Sequence, residues 1–286
     1  MNLDKIRNAI SAAISYIVLT AYALLSLYPF LWMVSSSLKS NQEVLSSQSL
    51  IPHEFHPEII INTWDQLNFF RYFFNSMIIT VLAVVGIILV FSMAGFGFAK
   101  ARFKGSNVLF IGFLGMMFVP GVTVLVPLIQ LLKALGLIGR DVSQAVTYGG
   151  LIMPIINGAG PMSIFLFRNY FASLPGELHD AARVDGASQW GIFFRIFFPL
   201  ATPIIATVGI LNFIGTWNAY IWPSIVLNNP DWFTLPLKLK DLDLQTVIQW
   251  NIRMAGSLIT VIPVIIVFLF LQRYYIRGLT AGAIRG

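Results

Sequence analysis

Eleven residues in the middle of a very apolar chain concentrate its charge: ELHDAARVDGA, Glu177 to Ala187. Glu177, Asp180, Arg183 and Asp185 are residue types that could move protons or hold an ion. Asp180 and Asp185 suggest an acid pair. Five residues apart on a helix, however, they point in different directions, and joint action on one atom needs a shared face. His53 and His56 could offer two imidazoles to a metal, although solvated loop histidines are the ordinary reading of such a pair. There is no GxxxxGKS/T run, so the chain has no phosphate-cradling P-loop of its own. GxSxG and HExxH are absent too. The expectation is a chain without catalytic residues, without a metal and without a bound cofactor, whose charged stretch acts on a partner.

Long oily runs must position that stretch. The 286 residues are 57% hydrophobic and 10% charged, with mean hydropathy +0.79; a soluble domain carries about 25% charged residues. With no cysteine, disulfides and thiolate chemistry are excluded. Six stretches lack Asp, Glu, Lys and Arg: Asn8–Leu38, Tyr72–Ala99, Gly105–Leu132, Val142–Phe167, Ile196–Pro230 and Met254–Gln272. A helix crosses about 30 Å of hydrocarbon with about 20 apolar residues, and a charge at its centre costs roughly 2.5–3.5 kcal/mol. The fold class read from this is an all-α membrane protein with six transmembrane helices, one domain over 1–286. The spans lie at about 10–34, 73–99, 106–132, 143–167, 199–225 and 254–273. A cytoplasmic loop fills 168–198, and external loops fill 35–72 and 226–253. The first apolar core exceeds the roughly 7–15 residues of a signal peptide, so it reads as a retained anchor.

Six spans put both termini on one side. Eleven of the 18 Lys and Arg fall there, including all those of AKARFKG, and the positive-inside rule makes that side cytoplasmic. The net charge of +6 then belongs to basic flanks of membrane helices and not to nucleic-acid binding. No acid or histidine lies inside a span, which speaks against proton coupling; sodium held by neutral oxygens stays open. Polar and aromatic residues for a translocation path are Asn157, Asn212, Trp217, Asn218 and Tyr220, with interhelical packing an equal explanation. Trp217 and Tyr220 are three apart, and Asn218 and Trp222 four apart, so each pair can share a helical face. Pro120, Pro127, Pro154 and Pro161 are expected to kink spans three and four.

Within the charged loop, Ser173 and Pro175 read as a helix start, and Glu177 and Asp180 suit the positive end of the dipole. Leu178, Ala181, Ala182 and Asp185 follow i, i+3, i+4, i+7 as a small-residue face, and Gly186 stops the helix. Ser188 caps a second short helix whose Trp190, Phe193, Phe194 and Phe197 form an aromatic face for the membrane interface. A plain connector needs only about 2–8 residues; this loop is built to receive another surface.

Asp180-Ala181-Ala182, Gly186, Ile196 and Pro199 keep the spacing of the EAA loop, and the stretch resembles that of binding-protein-dependent ABC importer permeases. Asp180 stands where that family has Glu, and Phe198 where it has Leu. Tyr28–Ser40, Asn75–Gly105, Thr216–Leu227 and the tail Gln272–Gly286 resemble the sugar-importing, maltose-type (MalG-like) branch. The resemblance implies a MetI-like core with cytoplasmic coupling helices in a bacterial-type inner membrane. It implies a coupling helix using Glu177, Asp180, Ala181, Ala182, Arg183, Asp185, Gly186 and Ala187, and a tail (Gly278, Thr280, Gly282, Arg285) reaching ATPase subunits. It implies a second permease, two ABC ATPase subunits that carry ATP and Mg, and an external solute-binding protein met near Asn228, Asn229 and Trp232. Trp232 as a membrane-interface anchor is an equal alternative. The same architecture for a polyamine or phosphate, or a sodium-coupled carrier, are the rival readings.

Overall fold

The computed structural model describes residues 3–66, 68–101, 103–139, 141–241 and 249–283, with no strand among them. The first helices are α1 (Leu3–Ser36), α2 (Asn41–Ser46), α3 (Glu58–Gln66) and α4 (Phe69–Lys100). Next come α5 (Ser106–Gly115) and α6 (Leu125–Ala134), separated by two 3-10 turns, and α7 (Gln144–Ser173). α8 (Glu177–Val184) and α9 (Gln189–Ile192) follow; a π-helical turn (Phe193–Phe197) and α10 (Phe198–Leu200) lead to α11 (Thr202–Trp217). α12 (Ile221–Val226), α13 (Leu235–Asp241) and α14 (Trp250–Ala283) come last.

Four helices are long and apolar enough to cross a membrane by themselves: Ile10–Ser36 of α1, all of α4, all of α7, and Trp250–Phe270 of α14. Two more crossings are available as bent pairs. Ser106–Phe118 meets Gly121–Ala134 at 93°, and Gln189–Leu200 meets Thr202–Trp217 at 76°. Pro120 sits at the first break, where it lacks the N–H a continuous helix would use. The backbone there satisfies itself: Val119 N–H donates to Met116 O at 3.2 Å, and Thr123 gives both its N–H (3.0 Å) and its hydroxyl (2.7 Å) to Pro120 O. Hydrocarbon offers no substitute partner, so this pairing is what permits a bend at depth. By contrast, α7 runs as one helix through Pro154 and Pro161.

The region expected as a span over 199–225 is divided. Its first residues belong to the arm set across α11, and α11 ends at Trp217, with Asn218 as its C-cap.

The contacts form two compact units: Met1–Phe69 with Leu239–Ile262, and Phe70–Lys238 with Pro263–Gly286. In the first, Lys39 is fully buried just past the C-terminus of α1, where the helix dipole favours a cation. Its Nζ stands 5.2 Å over the Trp32 ring and donates to Ser49 O. The Asn41 side chain accepts the first N–H of α14, from Trp250, at 2.8 Å, and Asn251 Nδ2 donates to Lys39 O at 3.2 Å. Of the two histidines weighed as a metal pair, His53 is held through its backbone N–H and His56 through its ring. His53 N–H donates to Glu43 Oε1 at 2.9 Å, and His56 Nδ1 lies 2.7 Å from Glu58 Oε1.

The second unit is organised around α4 and α7. Gly86 faces Ile156, Gly95 faces Phe167, and Gly160 faces the Phe91 ring, so each helix presents glycine where the other presents bulk. One core cluster gathers Phe91, Phe96, Phe167, Phe171, Phe193 and Phe197; a second gathers Ile79, Leu132, Tyr148, Leu151 and Val226.

Candidate functional site

α8 carries the charged stretch. Gly176 starts it, its carbonyl accepting the N–H groups of His179 (2.9 Å) and Asp180 (3.1 Å). Ser173 does not start this helix. It closes α7, its hydroxyl spent on Tyr170 O at 2.8 Å, and Pro175 lies between the two helices. At the other end Gly186 adopts φ +80°, its N–H bonds Arg183 O at 3.1 Å, and Ala187 N–H bonds Ala182 O at 3.0 Å. This is the Schellman closure that glycine permits without a Cβ penalty.

The inward face of α8 is His179 and Ala182; of the small-residue face Leu178, Ala181, Ala182 and Asp185, only Ala182 turns inward. The reason is an aromatic wall contributed by distant segments. His179 packs with ring centroids 6.3 Å from Phe96 and 6.4 Å from Phe197, while Nε2 lies 3.4 Å from Gln189 Oε1 and Nδ1 lies 3.5 Å from Asp180 Oδ1. His179 is therefore a buried residue of α8. Leu178, Ala181, Arg183 and Asp185 are exposed, and Val184 is 87% exposed. A valine so bare on a charged helix is a feature the periodicity reading missed.

Lys100, the last residue of α4, braces this helix from behind. Its Nζ donates to Leu174 O at 2.8 Å and stands 5.4 Å over the Phe197 ring. Lys100, Ala101, Gly176, His179, Asp180 and Arg183 line a cleft of about 540 Å³ beside α8. The aromatic face expected for the membrane interface splits in two. Phe193 and Phe197 turn inward against Phe96, at 5.3 and 5.0 Å. Trp190 and Phe194 stay exposed and stack on each other at 6.1 Å.

The proposed path residues do not share helical faces as their spacing suggested. Because α11 stops at Trp217, neither Trp217 with Tyr220 nor Asn218 with Trp222 lies on one helix. Trp217 is 1% exposed, packed 5.7 Å from Phe213 and 5.9 Å from Phe73. Asn212 and Asn218 each donate to the carbonyl four residues back, Val208 at 2.9 Å and Ile214 at 3.0 Å. Asn157 and Tyr220 are exposed.

At the opposite end of α4, three side chains hold the segment after α12. Asn75 Nδ2 donates to Asp231 O (2.9 Å) and Phe233 O (3.0 Å), Ser76 Oγ accepts Leu235 N–H (2.7 Å), and Arg71 pairs with Asp231 (2.5 Å). Tyr148 of α7 adds its hydroxyl to Trp232 O at 3.1 Å. Of the residues expected to meet a binding protein, Asn228 is exposed and Asn229 caps Asp231 N–H at 3.0 Å. Trp232 is half-buried, packed on the second core cluster. Arg71, Asn75 and Ser76 were missed; the polar Asn-Ser pair at the mouth of an apolar span was their only signal. In the tail, α14 carries Gly278, Thr280 and Gly282 in helix, and Arg285 lies outside the described residues.

Residues 87–281 match the family model described as "Binding-protein-dependent transport system inner membrane component". The chain is 35% identical to the probable ABC transporter permease protein YurM of Bacillus subtilis (strain 168), covering 95% of this chain and 88% of that one. It is 36% identical to the arabinooligosaccharides transport system permease protein AraQ of the same organism, covering 92% of each. Its fold matches a chain of a bacterial ABC transporter involved in the import of the acidic polysaccharide alginate. The TM-score is 0.80, with 25% identity over 94% of this chain and 98% of that one.

Proposed function

Since the chain belongs to the family of binding-protein-dependent transport system inner membrane components, we propose that it is the permease subunit of an ATP-driven carbohydrate importer, with α8 as its coupling helix. The observation that carries this is the two-sidedness of α8. His179 and Ala182 fix it to the core, while Leu178, Ala181 and Val184 stand exposed among Glu177, Asp180, Arg183 and Asp185. Exposed apolar groups ringed by charge suit a protein surface better than water or lipid.

On this reading α8, with Gly186 and Ala187 at its end, seats in a cytoplasmic ABC ATPase subunit. Two such subunits bind ATP and Mg and perform the hydrolysis, and this chain is non-catalytic. A second, different permease completes the pathway, to which Asn157, Asn212, Asn218 and Tyr220 contribute. An external solute-binding protein docks near Asn228. The termini lie in the cytoplasm, where Gly278, Thr280, Gly282 and Arg285 reach the ATPase. Support for a saccharide comes from the relatives, one named for arabinooligosaccharides and one for alginate.

The test is co-purification and uptake with Val184→Asp. The substitution is fully solvated in the free chain and leaves folding intact, but it sets an unpaired charge in the docking surface. Loss of both ATPase association and uptake is expected. If both survive, α8 is not the coupling helix. If the cognate binding protein takes a polyamine or phosphate, the carbohydrate assignment falls and the coupling assignment stands.

A further inference from the structure

Near the segment held by Asn75 and Tyr148, α4 and α7 part around a cavity of about 670 Å³. Small-molecule sites run to about 300–1,000 Å³. Ile78 and Leu82, four apart and so on one face of α4, form one wall. Gly149 and Ile152 of α7 form the other, and a Cβ at Gly149 would meet nothing within 4 Å. One turn further along both helices Gly86 is pressed against Ile156, so the gap between them ends there.

The polar groups gather at the start of α7. Ser143 lines the cavity from the N-cap position, yet its hydroxyl makes no capping bond; a serine there ordinarily spends its oxygen on the helix. Gln144 Nε2 donates to the Tyr148 hydroxyl at 3.0 Å, and that hydroxyl donates to Trp232 O at 3.1 Å. The chain of bonds fixes the Gln144 amide. It leaves the amide oxygen, like Ser143 Oγ, without a hydrogen-bond partner among the described residues. None of the described residues lining the cavity is Lys, Arg, His, Asp or Glu. Asp141, two residues before the N-cap, already sets a negative charge at the positive end of the α7 dipole.

We infer that this cavity is a subsite for a neutral saccharide, seated with its ring between α4 and α7 and its hydroxyls on Ser143 and Gln144. The inference rests on the carbohydrate importer proposed above and names its class of sugar. A sugar ring carries C–H groups on its faces and hydroxyls at its edge. Apolar walls with an idle amide oxygen and an idle hydroxyl at one end match both. A lipid tail would use the walls and leave the polar end unpaired. A uronate would bring a carboxylate that no cation meets, and an uncompensated charge is costly in such a site.

The test uses the complete importer in lipid nanodiscs, together with its cognate binding protein. Arabinotriose, lactose and maltotriose are the neutral probes, and an alginate trisaccharide is the acidic one. Each is offered to the binding protein alone by calorimetry, and to the importer alone by saturation-transfer NMR. A neutral probe that the binding protein retains should receive saturation from the importer. Gly149→Leu fills the open space and should weaken that binding at least about tenfold. Leucine is the better helix former, so this variant folds. Gln144→Leu removes one neutral hydrogen-bonding group and should weaken binding about two- to tenfold. Both variants should still co-purify with the ATPase. A binding protein that retains none of these probes defeats the carbohydrate reading itself. A retained neutral probe that receives no saturation from the wild-type importer overturns the subsite, and so does a signal that Gly149→Leu leaves unchanged. Retention of the alginate trisaccharide alone, or its equal saturation by the importer, overturns the neutral class. A phospholipid seen by native mass spectrometry on the wild type and lost in Gly149→Leu, with the saccharide signal unchanged, gives the cavity to lipid.

Discussion

Gly95 of α4 and Phe167 of α7 are in such close contact that a methyl group on Gly95 would stand 2.5 Å from the phenylalanine Cβ. That Cβ and the nearby backbone of Arg168 cannot rotate away. Gly95→Ala is expected to cost about 1–3 kcal/mol through overpacking. The loss is read as a lower unfolding midpoint in detergent. Gly97→Ala, with nothing within 4 Å of the added methyl, should hold or raise that midpoint, because alanine is the better helix former.

Ala181 and Ala182 are adjacent, yet they answer to different surfaces. Ala182 is buried against the core and Ala181 is exposed. Ala182→Leu should destabilise the chain by about 1–3 kcal/mol. Ala181→Leu should leave the unfolding midpoint alone and weaken ATPase association in a pull-down. Equal effects on both readouts would show that α8 is oriented differently.

Asn75→Leu removes the donor shared by the Asp231 and Phe233 carbonyls. Leaving these part-buried acceptors unpaired costs about 1 kcal/mol. The expected signature is local: faster limited proteolysis between Asn228 and Leu235, with cleavage elsewhere unchanged.

The His56–Glu58 pair gives the start of α3 a pH dependence. The hydrogen bond to Glu58 raises the His56 pKa above its usual value near 6.5. Glu58 is lowered, first by its own backbone N–H and then by His56. The histidine's contribution is fully present below its usual pKa and is lost as pH rises through the raised value. The carboxylate's contribution is present above its usual pKa and is lost as pH falls through the lowered value. The pair is therefore strongest between about pH 4.5 and 6.5. An NMR titration should give His56 an upward shift that Glu58→Gln abolishes.

Much of the architecture was legible because hydropathy is local. The charge-free runs cover most of α1, α4 and α7, and the cap residues around Glu177–Gly186 nearly bound α8. The inward face of α8 was not legible, because the wall that buries His179 comes from Phe96 and Phe197, far off in sequence. The clasp of Asn75 on Asp231 and Phe233 was hidden for the same reason. The break at Trp217 defeated face-sharing arguments that assume an unbroken helix. Proline was ambiguous: Pro120 sits at a sharp bend, while Pro154 and Pro161 are carried within α7. What decides between those outcomes is whether neighbouring donors and acceptors can re-pair, which composition does not reveal.

The bond from Lys100 to Leu174 also sets the direction in which the joining segments run. It places the C-terminal ends of α4 and α7 at one face, and Asn75 and Tyr148, gripping the same three residues, place their N-terminal ends at the other. Two helices so aligned run parallel, and the segment joining them must return along their length. The pair bent at 93° lies on that return path. The path from Leu174 to Asp231 likewise runs from one end of the two helices to the other, and it includes the pair bent at 76°.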